Sequence, residues 1–257
     1  MPRSATGGLR RVEKIMGTAI SLEIAGDVPA DEAVRLADEV YAWMRLVDDT
    51  FSTYKDDSEV SRLRNGSLTP AGGSADLRLV LDRCADLWRE TDGYFDAYAA
   101  GPLDPSGYVK GWSVEVASAR LAAAGSARHH INAGGDIRMR GAGPDGRPWR
   151  VGIRHPWENG KLSWVLALTD GAVATSGTYE RGEHVRNPRT GQPARGLRSV
   201  TVTGSDLARA DAYATAALAI GEAGIAWLAK LAAEGYESAV VTDDGRAFAS
   251  AHLPAAV

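Results

Sequence analysis

Between residues 131 and 202 the chain passes through five short apolar stretches, each closed by turn residues, with no helix-spaced segment between them. The stretches are 136–140, 149–153, 162–168, 172–175 and 199–202. Parallel neighbours need a crossover of a dozen or more residues, usually helical, whereas strands joined by turns pair antiparallel. Helical spacing appears on either side instead, at 30–48, 74–90 and 110–124 before this region and at 206–221 and 223–233 after it. A strand pair broken near Met16-Gly17 opens the pattern over 12–24, and a hairpin around Asp243-Asp244-Gly245 closes it with runs 239–241 and 246–249. The expected fold class is α+β: one domain of mostly antiparallel sheet with flanking helices over 12–257, preceded by a loose N-terminal arm over 1–11. The absence of a clean βαβ alternation argues against a Rossmann fold.

Charge and cysteine content remove several function classes. The formal net charge is -4, so no basic excess is available to neutralise phosphates and no nucleic-acid partner is expected. The single cysteine, Cys84, allows no disulfide within the chain and no cysteine-based metal cluster. It lies at helical spacing with Leu77, Leu81, Leu87 and Trp88, which predicts a buried structural thiol. No apolar run is long enough to span a bilayer, so no membrane insertion is expected. The first residues hold no apolar segment of signal-peptide length, which leads to the expectation of a cytoplasmic protein.

Six local patterns have chemical meaning, and each also has a plain structural one. Asp211 and Thr215 are four apart on a predicted helix among alanines, and project from one face. Their hard oxygens suit Mg²⁺, though a solvated Asp beside a helix-interior Thr has the same spacing. Gly134-Gly135, before Asp136, permits close approach of backbone to ligand, or only a tight turn. Ser176-Gly177 after a predicted strand offers hydroxyl and N–H groups to phosphate, or a polar hairpin turn. His184 is placed to act as a general base, or to sit at the surface. Tyr94 and Phe95 in a Gly-rich loop can stack on a flat ring or anchor the loop. Lys110, at a predicted helix start, can meet an anion or stand in solvent. There is no Walker A loop, no G-x-G-x-x-G after a strand, no H-E-x-x-H and no G-x-S-x-G.

Taken together and in order, these blocks resemble the ApbE family, the FAD:protein FMN transferases. The resemblance starts at Met16-Gly17-Thr18 and runs through FSTYKDDSEVSRL, TDGYFD, VKGWSVE, INAGGDI, AVATSGTYERG, HVRNPRTGQPA, SVTV and ADAYATAALAIG, over most of the chain. It implies a Mg²⁺-dependent reaction in which a Ser or Thr hydroxyl of an acceptor protein attacks FAD, FMN is retained as a phosphoester and AMP leaves. The implied partners are FAD, as substrate, and an acceptor with an FMN-binding domain or a subunit of a redox complex. The implied metal ligands are the side chains of Asp211 and Thr215 and the carbonyl of Gly107. Met16, Tyr54, Tyr94, Phe95, Asp96, Asp104 and Lys110 match FAD-contacting positions, with Gly134, Gly135, Ser176 and Gly177 shaping the same pocket. His184 matches the family's catalytic histidine.

The chain departs from the family pattern in three places. The segment between Asp96 and Lys110 is short, so the pocket wall around Asp104 and Gly107 is expected to differ. Asn187 stands where the family has an acid, and Arg186 adds a positive charge, so His184 is expected to have a different pKa and partner. No lipoprotein cysteine lies near the start, so acceptors are expected in the cytoplasm or on the cytoplasmic face of a membrane. Two other functions suit the same residues: a Mg²⁺-dependent FAD diphosphatase yielding FMN and AMP, and a non-catalytic FAD-binding protein. A flavin-dependent oxidoreductase is a further reading, for which no nicotinamide-binding motif is visible.

Overall fold

The computed structural model describes residues 8–26, 28–178 and 185–256. Among them an eight-stranded sheet runs in the order β1-β2-β3-β4-β7-β8-β9-β10, every neighbouring pair antiparallel. Its strands are β1 (Leu9–Ile15), β2 (Thr18–Ile24), β3 (His129–Ala133), β4 (Asp136–Arg140), β7 (Gly171–Gly177), β8 (Leu197–Gly204), β9 (Glu237–Thr242) and β10 (Ala247–Ala249). A separate hairpin, β5 (Trp149–Arg154) with β6 (Leu162–Leu168), packs its inner residues Val151, Ile153 and Leu166 with Ile137, Met139, Val173 and Ala239 of the large sheet. The α+β expectation and the antiparallel pairing agree with this architecture.

The helices are α1 (Ala30–Phe51), α2 (Glu59–Arg64), α3 (Ala75–Glu90), α4 (Ser106–Ala123), α5 (Leu207–Ile220) and α6 (Ala223–Leu231). In α1 the apolar stripe Leu36, Val40, Met44 and Val47 is buried, as helical spacing predicts. Helix α5 differs: it packs on β7 and β8 with one side and against α4 and α6 with others. Being covered all round, it is built from small residues, with Ala210, Ala212, Ala214, Ala216 and Ala217 all buried.

Several boundaries move. Strand β1 begins at Leu9, so Leu9, Arg10 and Arg11 belong to the sheet and not to a loose arm. Strand β3 lies largely outside the apolar stretches read from sequence, because its two histidines hide the pattern. Helix α4 starts at Ser106, so Lys110 stands inside the helix and not at its first turn. Strand β7 continues through Thr175-Ser176-Gly177, which is ladder paired to β8 and not a turn.

Candidate active site

The sheet register brings three chain segments to one end of the sheet. The β1–β2 tip is Met16-Gly17, both with positive φ (53° and 71°), and the β3–β4 tip is Gly134-Gly135, with φ of 63° and 105°. Such two-residue turns match the right-handed twist of the strands they join. The tips touch: a Cβ on Gly134 would lie 2.4 Å from Thr18 Oγ1, so only glycine fits there. Because β4 pairs antiparallel with β7, the C-terminal end of β7 reaches the same edge, and the Thr175 N–H donates to Asp136 Oδ1 at 3.2 Å.

Helices α4 and α5 deliver the remaining groups to this end. They approach closely at Gly111, where a Cβ would meet the Leu207 carbonyl oxygen at 2.7 Å and Asp211 Cβ at 3.0 Å. The Gly111 N–H donates to Asp211 Oδ2 at 3.3 Å. The Lys110 ammonium pairs directly with Asp136 Oδ2 and lies 3.9 Å from Asp211 Oδ2. Asp136 and Asp211 are 1% and 3% exposed, so these two carboxylates must be held by partners, and the ammonium between them is one. One turn beyond Asp211, the Thr215 hydroxyl meets the Ser176 hydroxyl at 3.2 Å. A Cβ on Gly107 would lie 3.9 Å from Thr215 Cγ2 and 3.4 Å from the Phe95 ring, which places Gly107 beside the Asp211–Thr215 face.

The predicted site residues therefore separate into groups. Lys110, Asp211, Thr215, Ser176, Gly107 and Phe95 come together, with Gly134, Gly135 and Met16 at the same end of the sheet. Gly177 pairs with Ser199 in the β7–β8 ladder and follows Ser176 to that edge. Asp104 and Asp96 serve the loop that leads into α4: Asp104 Oδ1 accepts from Ser106 N at 3.0 Å and Asp96 Oδ1 accepts from Tyr98 N at 2.8 Å. The Tyr54 ring stands in solvent, 95% exposed. Tyr94 is half-buried and covered by the Arg189 guanidinium at 4.3 Å from its centroid, and Arg189 also donates to the Asp92 carbonyl at 3.1 Å. His184 lies outside the described residues. In the segment that follows it, Asn187 Oδ1 accepts from Arg189 N and Arg186 donates to the Gly191 carbonyl, so these two side chains shape the loop itself.

Asp136 is the residue that sequence reading underweighted. Its signal was present, an Asp directly after Gly-Gly, but a carboxylate there reads as turn chemistry until the Lys110 contact is seen.

The donor set also bears on metal binding. Among the described residues no group of three or more His, Cys, Asp or Glu side chains gathers as a complete cage. The oxygens that do gather are a buried carboxylate (Asp211) and two hydroxyls (Thr215, Ser176). Mg²⁺ is commonly held in this way, by one or two carboxylates plus substrate phosphates and water. The residues present fit a hard cation shared with a phosphorylated ligand.

Comparison with known proteins agrees with the sequence blocks. The ApbE family model matches residues 16–103 and 98–237. The chain belongs to the ApbE family. A FAD:protein FMN transferase of Rhodobacter capsulatus is 38% identical over 162 residues, 60% of this chain and 30% of that protein. The FAD:protein FMN transferase of Vibrio cholerae is 26% identical, over 80% of each chain. Among solved structures, the apo form of the Pseudomonas stutzeri flavinyl transferase ApbE is 26% identical with a TM-score of 0.80, covering 95% of this chain and 94% of that one. The Vibrio cholerae flavin transferase ApbE superposes with a TM-score of 0.81 over 95% and 97% at 24% identity, which shows the shared fold.

Proposed function

We propose that this ApbE-family chain transfers FMN from FAD to a Ser or Thr hydroxyl of an acceptor flavoprotein, releasing AMP, with Mg²⁺ at the FAD diphosphate. The observation that carries the reading is the convergence of Lys110, Asp136, Asp211, Ser176 and Thr215 at the sheet end bounded by the two hairpin tips. Asp211, Thr215 and the Gly107 carbonyl would hold the metal, with Ser176 beside them. Mg²⁺, when bound, neutralises charge that builds on the diphosphate as its bond breaks. Lys110, tied to Asp136, places its positive charge at the end of the sheet where the phosphate oxygens would lie. Tyr94, half-buried, supplies aromatic surface toward the flavin or adenine ring, and the buried Phe95 ring supports Gly107 from the core side. His184 takes the proton of the incoming hydroxyl, the role its block implies. Among the described residues no helix is long and apolar enough to cross a membrane. A cytoplasmic location and an acceptor with an FMN-binding domain or a redox-complex subunit belong to the same reading.

The test is the intact mass of a small FMN-binding-domain acceptor after incubation with the protein, FAD and Mg²⁺. A gain equal to one phosphoester-linked FMN is expected, lost with EDTA, with Asp211→Asn and with His184→Ala. AMP release with no mass gain on any acceptor would show hydrolysis of FAD in place of transfer. FAD bound with no AMP formed would show a carrier.

A further inference from the structure

A second three-way junction lies behind the first. Glu115 follows Lys110 on α4, Arg138 follows Asp136 on β4, and Leu207 precedes Asp211 at the start of α5. Glu115 Oε1 accepts from Arg138 Nε at 3.0 Å and from Arg140 Nη2 at 3.4 Å, while Glu115 Oε2 accepts from the Leu207 backbone N–H at 2.9 Å. Arg138 is 3% exposed, and its Nη1 donates to the Gly171 carbonyl at 3.0 Å, to the Met139 carbonyl and to Asp170 Oδ1 at 2.8 Å. Gly171 opens β7, the strand that carries Thr175 and Ser176. One carboxylate and one guanidinium thus tie together α4, β4, α5 and β7.

These four elements also carry the candidate site: Lys110 on α4, Asp136 on β4, Asp211 and Thr215 on α5, Ser176 on β7. Glu115 satisfies an N–H at the α5 terminus that has no partner within the helix, and it sits where a negative charge is favoured by the helix dipole. Its two oxygens are directed at different elements, so a change in its position moves α5 relative to α4 and β4. Asp136 and Arg138 project from one face of β4 because side chains alternate along a strand, so the strand transmits such a shift directly.

We propose that Glu115 and Arg138 are positioning residues that set the spacing of Lys110, Asp136 and Asp211, and with it the geometry of metal and diphosphate binding. The proposal rests on the functional reading above. Their effect passes through Lys110, Asp136 and Asp211, which stand on the same elements.

The experiment uses Glu115→Gln, Arg138→Lys and, as a control, Arg209→Gln. Arg209 is on α5 too, but its guanidinium pairs with Glu90 at 2.7 Å away from the site. Glutamine keeps an acceptor for Leu207 N–H but loses the charge facing Arg138, and lysine keeps the charge but cannot reach Glu115 and Gly171 together. AMP release is measured across Mg²⁺ concentrations, with FAD affinity by flavin fluorescence quenching and Tm without ligand. Expected for Glu115→Gln and Arg138→Lys are a fall in kcat and a rise in the Mg²⁺ concentration for half-saturation, each about 10- to 100-fold, the range seen for groups that orient metal ligands. Their Tm should fall no further than that of Arg209→Gln, which should keep wild-type Mg²⁺ dependence. Wild-type kcat and Mg²⁺ half-saturation in both variants would overturn the proposal, as would losses that simply follow Tm across all three. Should Glu115→Gln fail to fold, Arg138→Lys alone decides. A wild-type protein that neither releases AMP nor flavinylates an acceptor sinks the transferase reading alone. The positioning role is then decided by FAD affinity in Mg²⁺, where weakening in the two variants but not in Arg209→Gln supports it and equal affinity in all overturns it.

Discussion

The backbone N–H of Gly111 donates to Oδ2 of Asp211 at 3.3 Å, where α4 and α5 pack tightly together. That contact exists because position 111 has no Cβ: one would lie 2.7 Å from the Leu207 carbonyl oxygen and 3.0 Å from Ala208 Cα, both backbone atoms that cannot swing aside. Gly111→Ala should therefore part the two helices. The expected cost is about 1–3 kcal/mol of stability, the usual range for overpacking. FAD affinity in Mg²⁺ should fall as well, since Lys110 and Asp211 move apart together. Urea denaturation beside flavin fluorescence titration checks both, and a variant with wild-type stability and affinity would show that the helices have slack at this point.

Thr215 and Ser176 provide a graded test of the donor set. Their hydroxyls share one hydrogen bond of 3.2 Å, but only Thr215 shares a helix face with Asp211. Thr215→Val removes the oxygen and keeps the shape, and should raise the Mg²⁺ needed for half-maximal AMP release by about tenfold or more. Ser176→Ala should have the smaller effect, leaving Thr215 in place. A reversed order would assign the metal to the β7 side and make Thr215 a packing residue.

The architecture was open to sequence reading where the physics is local. Turn residues between short apolar runs have one main outcome, antiparallel pairing, and the runs 136–140 and 162–168 coincide with β4 and β6. The Asp211–Thr215 pair was readable because helical spacing alone puts both on one face. What was hidden depends on distance along the chain. Nothing near Asp136 announces that Lys110 will meet it, or that Glu115 will reach Leu207 N, because both contacts follow from how α4 lies across the sheet. Strand β3 was hidden for another reason: His129 is fully buried with Ser118 and Ser126 as partners, so a polar letter occupies a core position. Asp96 and Asp104 carry a similar ambiguity, since each holds a backbone N–H two residues on, Asp96 in the loop and Asp104 at the start of α4, that sequence does not reveal.

The other histidine of β3 makes stability depend on pH. His130 stacks on Trp149, with centroids 5.2 Å apart. Burial, with smaller contributions from Arg10 and His129, lowers its pKa to about 4. An unfolded histidine titrates near 6.5, so between roughly pH 6.5 and 4 the unfolded chain holds a proton that the folded chain does not. Stability contributed here is complete above about 6.5 and is lost as pH falls toward 4, by up to about 3 kcal/mol. His130→Phe keeps a ring against Trp149 and removes the titration. Urea midpoints at several pH values between 7.5 and 4.5 should therefore fall less steeply in the variant than in the wild type, and parallel curves would assign the acid sensitivity to other groups.

Cys84 offers a probe of the helical layer that leaves the site untouched. It is 6% exposed on the inner face of α3, and burial alone raises its thiol pKa to about 12. At pH 8 the thiol stays protonated and out of reach, whereas an unfolded cysteine near 8.5 ionises readily. Reaction with a small aromatic disulfide reagent should therefore be slow in native buffer and should speed up in step with unfolding in urea. Cys84→Ser should keep FAD binding and AMP release at wild-type levels while lowering stability by about 1–3 kcal/mol, because a hydroxyl takes an apolar place. Rapid labelling in native buffer would mean that α3 opens locally well before the domain unfolds, and the helix would then belong to the least stable part of the fold.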